Sequence, residues 1–179
     1  MNTLVLGGIR SGKSSWAEIS ILNKCKPSMA VRYIATCLDI GNDYDWSNRI
    51  KVHQKRRPSY WYTIETDDLI SELCLDKGNA TLVDDVGSWL MSNIEPFKIF
   101  SKIQINKKIK TLINIVNSFS APLFIVSPEV GLTIVSANKV GRQYSDILGE
   151  INQQLAKVCH NVILIIAGQP VILKGSLYA

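Results

Sequence analysis

The sequence predicts an α/β fold, with a mostly parallel sheet carrying helices on both faces. Short apolar runs alternate with helical stretches along the chain, the arrangement that buries parallel strands on both sides. The first run, residues 3–6, leads directly into Gly7-Gly8-Ile9-Arg10-Ser11-Gly12-Lys13-Ser14, which fits G-x-x-x-x-G-K-[ST]. A helical pattern with Trp16, Ile19 and Leu22 on one side begins immediately after it. Strand, glycine loop and helix start are the context of a phosphate-binding loop, so the expected fold is of the P-loop NTPase type.

The chemistry of that octapeptide follows from its residue types. Glycine carries no steric cost at positive φ, so the backbone can curl around a phosphate. The curled amides and the helix N-terminus then direct partial positive charge at the anion. Gly7, Gly8, Ile9, Arg10, Ser11, Gly12, Lys13 and Ser14 are therefore the expected nucleotide contacts. Lys13 can reach the β- and γ-phosphates, and the Ser14 hydroxyl can bind Mg²⁺, the expected cofactor.

The remaining elements follow in order. A second strand is expected at 31–35. Residues 37–48 are polar and aperiodic and read as a loop. Residues 45–57 are charged, with a helical reading open. A short aromatic and β-branched strand at 60–64 precedes Asp67 and Asp68, which can cap a helix through residue 74. A strand at 80–83 ends in Asp84-Asp85. A helix over 86–94 is stopped by Pro96. Ile105, Ile109, Leu112, Ile113, Val116 and Phe119 form the stripe of an amphipathic helix over 103–119. A buried strand at 122–127 runs into a loop with Pro128 and Gly131. From Asn138, the residues Val140, Tyr144, Ile147, Leu148, Ile151, Leu155 and Val158 trace another helix face. Residues 162–167 form the last core strand, and 171–173 an edge.

Length and composition fit this picture. The 179 residues form one domain, 1–179, large enough for a substantial core, with 46% hydrophobic and 20% charged residues. A net charge of +5 is mild and suits attraction of polyanionic substrates rather than nucleic acid. Cys25, Cys37, Cys74 and Cys159 are scattered without a C-x-x-C pair, so they read as reduced thiols and no zinc site is expected. The first apolar stretch is too short for a secretory signal, and no run approaches membrane-spanning length. A cytoplasmic protein with no membrane span is expected.

Ligands in such sheets sit at the carboxyl ends of the strands, which selects the residues to weigh. Asp84 can hold Mg²⁺ beside Ser14, while Asp85 suits a helix N-cap. His53 lies in a basic stretch with Arg49 and Arg57. One reading is a solvated helix face. The other is a nucleophile kept neutral by its cationic neighbours, which would also hold an arriving phosphate. Glu129 can act as a general base or bind a substrate hydroxyl, or be solvated in its loop. Arg142, Asp146, Asn152 and Gln153 read as the polar face of a packed helix. His160 reads as a structural residue at a helix end.

Several motifs together resemble one family. Gly-Ile-Arg-Ser-Gly-Lys-Ser at 8–14 is similar to the phosphate loop of the bifunctional adenosylcobinamide kinase/adenosylcobinamide-phosphate guanylyltransferases. Tyr33-Ile34-Ala35-Thr36, the block Arg49-Ile50, His53, Arg57-Pro58, Trp61, Thr63 and Glu65, the Glu129-Val130-Gly131 triplet, and Asp146, Gly149, Asn152, Gln153 and Ala156 also follow its pattern, in order, from residue 3 to about 174. The resemblance implies two reactions of cobalamin assembly. ATP or GTP phosphorylates the aminopropanol hydroxyl of adenosylcobinamide. GTP then donates GMP to that phosphate, carried on the histidine that corresponds to His53. Lys13, Asp84 and Glu129 would be the other catalytic residues, with Arg49 and Arg57 on the nucleotide. The resemblance also implies a homotrimer. The chain departs from the family at Asp84, where Glu is usual, and at Ser127-Pro128, Ser136 and Ser145. A P-loop kinase for another small alcohol, without nucleotidyl transfer, is the competing reading.

Overall fold

In the computed structural model, the described residues are 1–25, 30–36, 57–75, 78–94 and 102–176. They form β1 (Asn2–Gly7), α1 (Lys13–Lys24), β2 (Arg32–Ala35), β3 (Tyr62–Glu65), α2 (Leu69–Leu75), β4 (Thr81–Asp84), α3 (Val86–Ile94), α4 (Lys102–Asn117), β5 (Leu123–Pro128), α5 (Lys139–Val158), β6 (Asn161–Ile166) and β7 (Gln169–Lys174). The expected loop at 37–48, the helical reading of 45–56 and Pro96 lie outside the described residues.

One seven-stranded sheet runs in the order β3-β2-β4-β5-β1-β6-β7. Every pairing is parallel except β6 with β7. The inner strands β1, β4 and β5 are apolar at successive positions because both faces are covered, whereas the edge strands β3 and β7 are largely exposed. Leu4 and Leu6 of β1, Val83 of β4 and Leu123 and Ile125 of β5 join the core under α2, α3, α4 and α5. Their neighbours Val5, Leu82, Phe124 and Val126 join a second core with Ala17 and Ile21 of α1. Alternate side chains point to opposite faces, so a strand with one polar face cannot meet this requirement.

Asp68 caps its helix as expected, and Asn138 is a further cap. Asp68 Oδ1 accepts from Ser71 N at 3.2 Å at the start of α2. Asn138 caps α5, its side chain accepting from Gly141 N at 2.6 Å.

Three details of the helix faces differ from the sequence expectation. Ile19 is 60% exposed, and α1 faces the sheet with Ala17 and Ile21, where the small alanine lets helix and sheet approach closely. In α4 the buried stripe contains Ile115, while Ile113 is only partly buried against it. Val140 is exposed at the first turn of α5, and the helix becomes core only from Leu148 onward. Pro128, expected in a loop, is the last residue of β5, opposite Gly7. No helix among the described residues is long and apolar enough to cross a membrane. Cys25, Cys74 and Cys159 are free thiols, and Cys37 lies outside the described residues.

Candidate active site

The phosphate loop leaves β1 in the middle of the sheet. Its tight path uses two left-handed backbone conformations, one at a glycine and one at a residue with a side chain. Gly12 sits at φ 93° and Arg10 at φ 56°. Ser11 N donates to Gly8 O at 3.3 Å, and Trp16 N to Gly12 O at 2.9 Å, which starts α1. Gly7 is required for space, since a Cβ there would meet the Ser11 hydroxyl and lie 2.9 Å from Ile165 O. A Cβ at Gly8 would meet nothing within 4 Å, so packing within the chain does not demand that glycine. The turn between β6 and β7 closes over the loop, with Gly168 N donating to Ser11 O at 2.8 Å.

Lys13 lies across the loop, its Nζ donating to Gly8 O at 3.3 Å. The Ser14 hydroxyl donates to Asp84 Oδ1 at 3.0 Å. The residue after the Lys and the acid at the end of β4 are thus joined, as expected from their places at the carboxyl ends of strands. Asp85 takes the other role expected of the pair. Its Oδ1 accepts from Ser88 N at 2.7 Å at the start of α3. Burial, and secondarily the Asp84 charge, push the Asp85 carboxyl above its ordinary range.

A layer of residues to which the sequence assigns no role holds this acidic pair. The Tyr33 hydroxyl donates to Asp84 Oδ2. Burial first, and the Asp84 charge second, push the Tyr33 hydroxyl well above its ordinary pKa. Thr36 brackets the next peptide: Asp85 N donates to Thr36 Oγ1 at 3.0 Å, and that hydroxyl donates to Asp85 O at 2.5 Å. The Tyr33-Ile34-Ala35-Thr36 motif at the end of β2 therefore positions the acid on the adjacent β4. The signal is present in that motif, but its partner on the next strand is a tertiary fact.

Arg57 lies with its guanidinium carbon 3.5 Å from the centre of the Tyr33 ring, and Nη1 donates to Thr63 Oγ1 at 3.4 Å. Trp61 stands beside the same ring, at 6.1 Å between centroids. Arg57 is thus next to the Tyr33–Asp84 pair. His53 and Arg49 lie outside the described residues.

Glu129 follows β5, and its backbone N donates to Gly7 O at 3.0 Å, which sets the triplet beside the phosphate loop. Its Oε1 accepts from Gly131 N at 2.6 Å, so the carboxylate is turned onto its own loop. Asn152 of α5 is buried and fixes the strand end that leads there. Ser127 Oγ donates to Asn152 Oδ1 at 2.6 Å, and Asn152 Nδ2 donates to Pro128 O at 3.0 Å. Arg142 donates to the carbonyls of Ser136 and Ala137 at 3.1 and 2.7 Å. These two helix residues act on the loop, beyond the plain polar face expected of them. His160 is structural as expected: its Nδ1 accepts from Asn2 N at 3.1 Å. Tyr144 of α5 reaches the start of α3, where a Cβ on Gly87 would lie 2.5 Å from its hydroxyl oxygen.

The arrangement brings a cradle of amides, one lysine, one hydroxyl and one carboxylate to the carboxyl ends of neighbouring strands. That is equipment for binding and activating a polyphosphate. The family model for cobinamide kinase / cobinamide phosphate guanyltransferase matches residues 3–173. The bifunctional adenosylcobalamin biosynthesis protein CobP of Pseudomonas aeruginosa is 31% identical, over 98% of this chain and 98% of its own length. The bifunctional adenosylcobalamin biosynthesis protein CobU of Escherichia coli is 32% identical, over 97% of this chain and all of its own. Among solved structures, an ATPase domain superposes with a TM-score of 0.56 at 11% identity, covering 97% of this chain and 76% of that one. That likeness concerns the fold, which is of the P-loop NTPase type.

Proposed function

The chain belongs to the cobinamide kinase / cobinamide phosphate guanyltransferase family, and on that premise we propose that it catalyses both reactions on adenosylcobinamide. A nucleoside triphosphate phosphorylates the aminopropanol hydroxyl, and GTP then supplies GMP to the new phosphate. The observation that carries this reading is the family match across residues 3–173, supported by full-length relatives that are named bifunctional. It sets aside the P-loop kinase without nucleotidyl transfer.

In the first reaction the amides of residues 8–14 and the Lys13 ammonium hold the phosphates and offset the charge that develops on the transferred group. Glu129, beside Gly7, is the proposed acceptor of the hydroxyl proton once its carboxylate turns from Gly131 N. Ser14 and Asp84 offer two hard oxygen donors, and no cluster of three or more His, Cys, Asp or Glu side chains occurs among the described residues. That donor set fits Mg²⁺, which binds few protein oxygens and completes its shell with water and phosphate. When bound, Mg²⁺ would neutralise phosphate charge.

In the second reaction a His53 ring nitrogen attacks the α-phosphorus of GTP. A P–N bond forms, the P–O bond to the β-phosphate breaks, and pyrophosphate leaves. An oxygen of cobinamide phosphate then displaces the histidine from phosphorus and releases adenosylcobinamide-GDP. Arg49 and Arg57 are proposed to hold the nucleotide; the place of Arg57 beside Tyr33 supports this for one of them. A homotrimer and a cytoplasmic location complete the reading, the latter because both reactions draw on nucleoside triphosphates.

The test is labelling with GTP radioactive at the α-phosphate, with His53→Ala in parallel. An acid-labile, base-stable label that is absent from the variant is expected. A variant labelled like the wild type would overturn the role of His53.

A further inference from the structure

In the loop between β5 and α5, polar groups pair with one another while aliphatic side chains stand exposed. Glu129 Oε1 accepts from Gly131 N, Thr133 Oγ1 donates to Val130 O at 2.8 Å, and Arg142 ties down the carbonyls of Ser136 and Ala137. Leu132, Ile134 and Val135 are left 79%, 96% and 76% exposed. Contiguous exposed aliphatic side chains on a loop whose polar groups are satisfied mark a binding surface. The position of the loop is equally specific. β5 lies between β4, which carries Asp84, and β1, which carries the phosphate loop. The loop therefore leaves the sheet at the end that carries both the phosphate loop and Asp84, with Glu129 N held against Gly7 O. Ile9, 85% exposed at the tip of the phosphate loop, projects from the same end of the sheet.

We propose that Leu132, Ile134 and Val135, with Ile9, form an apolar platform for the corrin macrocycle of the acceptor. This rests on the reading of the chain as an adenosylcobinamide kinase. A corrin is a wide ring with hydrocarbon faces and an amide-bearing rim, and a short arm links it to the hydroxyl that receives phosphate. The arm must reach the nucleotide bound at Lys13, so the ring must lie on whatever surface borders that point. The platform offers hydrocarbon for the ring face and leaves the rim amides in water. A second copy of the chain suits the surface less well. A specific protein interface needs about 1,000 Å², more than four aliphatic side chains supply. A copy seated there would also cover the approach of the acceptor.

The test is the double variant Ile134→Ser/Val135→Ser, at positions too exposed to matter for folding. Adenosylcobinamide is the probe, in equilibrium dialysis and in the phosphorylation assay, with sedimentation velocity on the same samples. The dissociation constant and KM for adenosylcobinamide should rise roughly tenfold or more, the effect of losing one well-buried hydrocarbon contact. The KM for the nucleotide and the sedimentation coefficient should stay unchanged, and Ile134→Leu/Val135→Ile should restore affinity. Unaltered corrinoid affinity in the serine variant would overturn the proposal. So would a changed sedimentation coefficient, which would assign the patch to a second copy. A wild-type protein that binds GTP but neither binds nor phosphorylates adenosylcobinamide would instead overturn the functional reading, and this inference with it.

Discussion

The Ser14 hydroxyl stands 3.0 Å from Asp84 Oδ1, joining the start of α1, which follows β1, to the end of β4 across the intervening β5. Asp84→Asn keeps the shape and a hydrogen-bonding oxygen but removes the charge. The turnover number for adenosylcobinamide phosphorylation should fall about a hundredfold or more, as when a preorganised electrostatic group is lost. Steady-state kinetics at saturating nucleotide measure it, and wild-type turnover would take Asp84 out of the reaction.

Tyr33→Phe removes the hydrogen bond to Asp84 and keeps the ring on which Arg57 is stacked. A buried hydrogen bond to a charged group contributes about 1.5–3 kcal/mol. Urea denaturation should register a loss of that order. The Mg²⁺ concentration for half-maximal activity should rise, because the carboxylate is less firmly held. An unchanged Mg²⁺ dependence would leave Tyr33 a purely structural role.

Alkaline pH should destabilise the fold through its buried protonated groups. Burial pushes the Cys159 thiol from 9.0 to about 12, and burial together with Asp85 pushes the Tyr144 hydroxyl from 10.0 to about 12. Between the ordinary and the raised value, the native chain holds a proton that the unfolded chain has released. Stability from Cys159 is therefore complete below pH 9 and is lost as pH rises toward 12. One such group steepens the loss by up to about 1.4 kcal/mol per pH unit, and the partly exposed Tyr144 by less. Urea midpoints across this range should decline, and less steeply from pH 9 in Cys159→Ala. Parallel declines would discount the thiol.

Asn152→Ala breaks the link from α5 to Ser127 and Pro128 and strands a buried hydroxyl. A loss of about 2 kcal/mol is expected. Chemical denaturation reads it, and a change below about 0.5 kcal/mol, the range of neutral surface substitutions, would show that the strand end holds without its latch.

Gly8→Ala and Gly12→Ala should separate two demands on the phosphate loop. At Gly12 the φ of 93° and a Cβ only 3.3 Å from Gly168 Cα make alanine destabilising, by about 1–2 kcal/mol. At Gly8 a Cβ has open space, so the thermal midpoint should not move. If both variants melt like the wild type, the loop is held by something other than its backbone geometry.

Much of this is legible in the chain. The octapeptide's strand–loop–helix setting, the run of two-sided inner strands and the capping of a helix by Asp85 are local patterns, and the structure reproduces them. The buried stripes of α1 and α4 differ in detail from the sequence reading because further aliphatic residues flank each stripe, and packing alone chooses between them. Tyr33, Thr36, Tyr144 and the second role of Asn152 depend on which strands become neighbours. That order, β3-β2-β4-β5-β1-β6-β7, has no local signature. The basic segment with Arg49 and His53 lies outside the described residues, so its part rests on motif and family.

The interior position of β1 has a consequence for biosynthesis. β1 is translated well before its partners β5 and β6, whose residues begin at Leu123 and Asn161. Until those are translated, both edges of β1 lack their partners, and the loop that it carries has neither Glu129 N against Gly7 O nor Gly168 N against Ser11 O. Long-range parallel pairing of this kind is slow and leaves apolar edges open while it waits. A nascent chain therefore stays unable to capture nucleotide until β5 and β6 have been made. Stalled or C-terminally clipped products would be inert and adhesive rather than partly active.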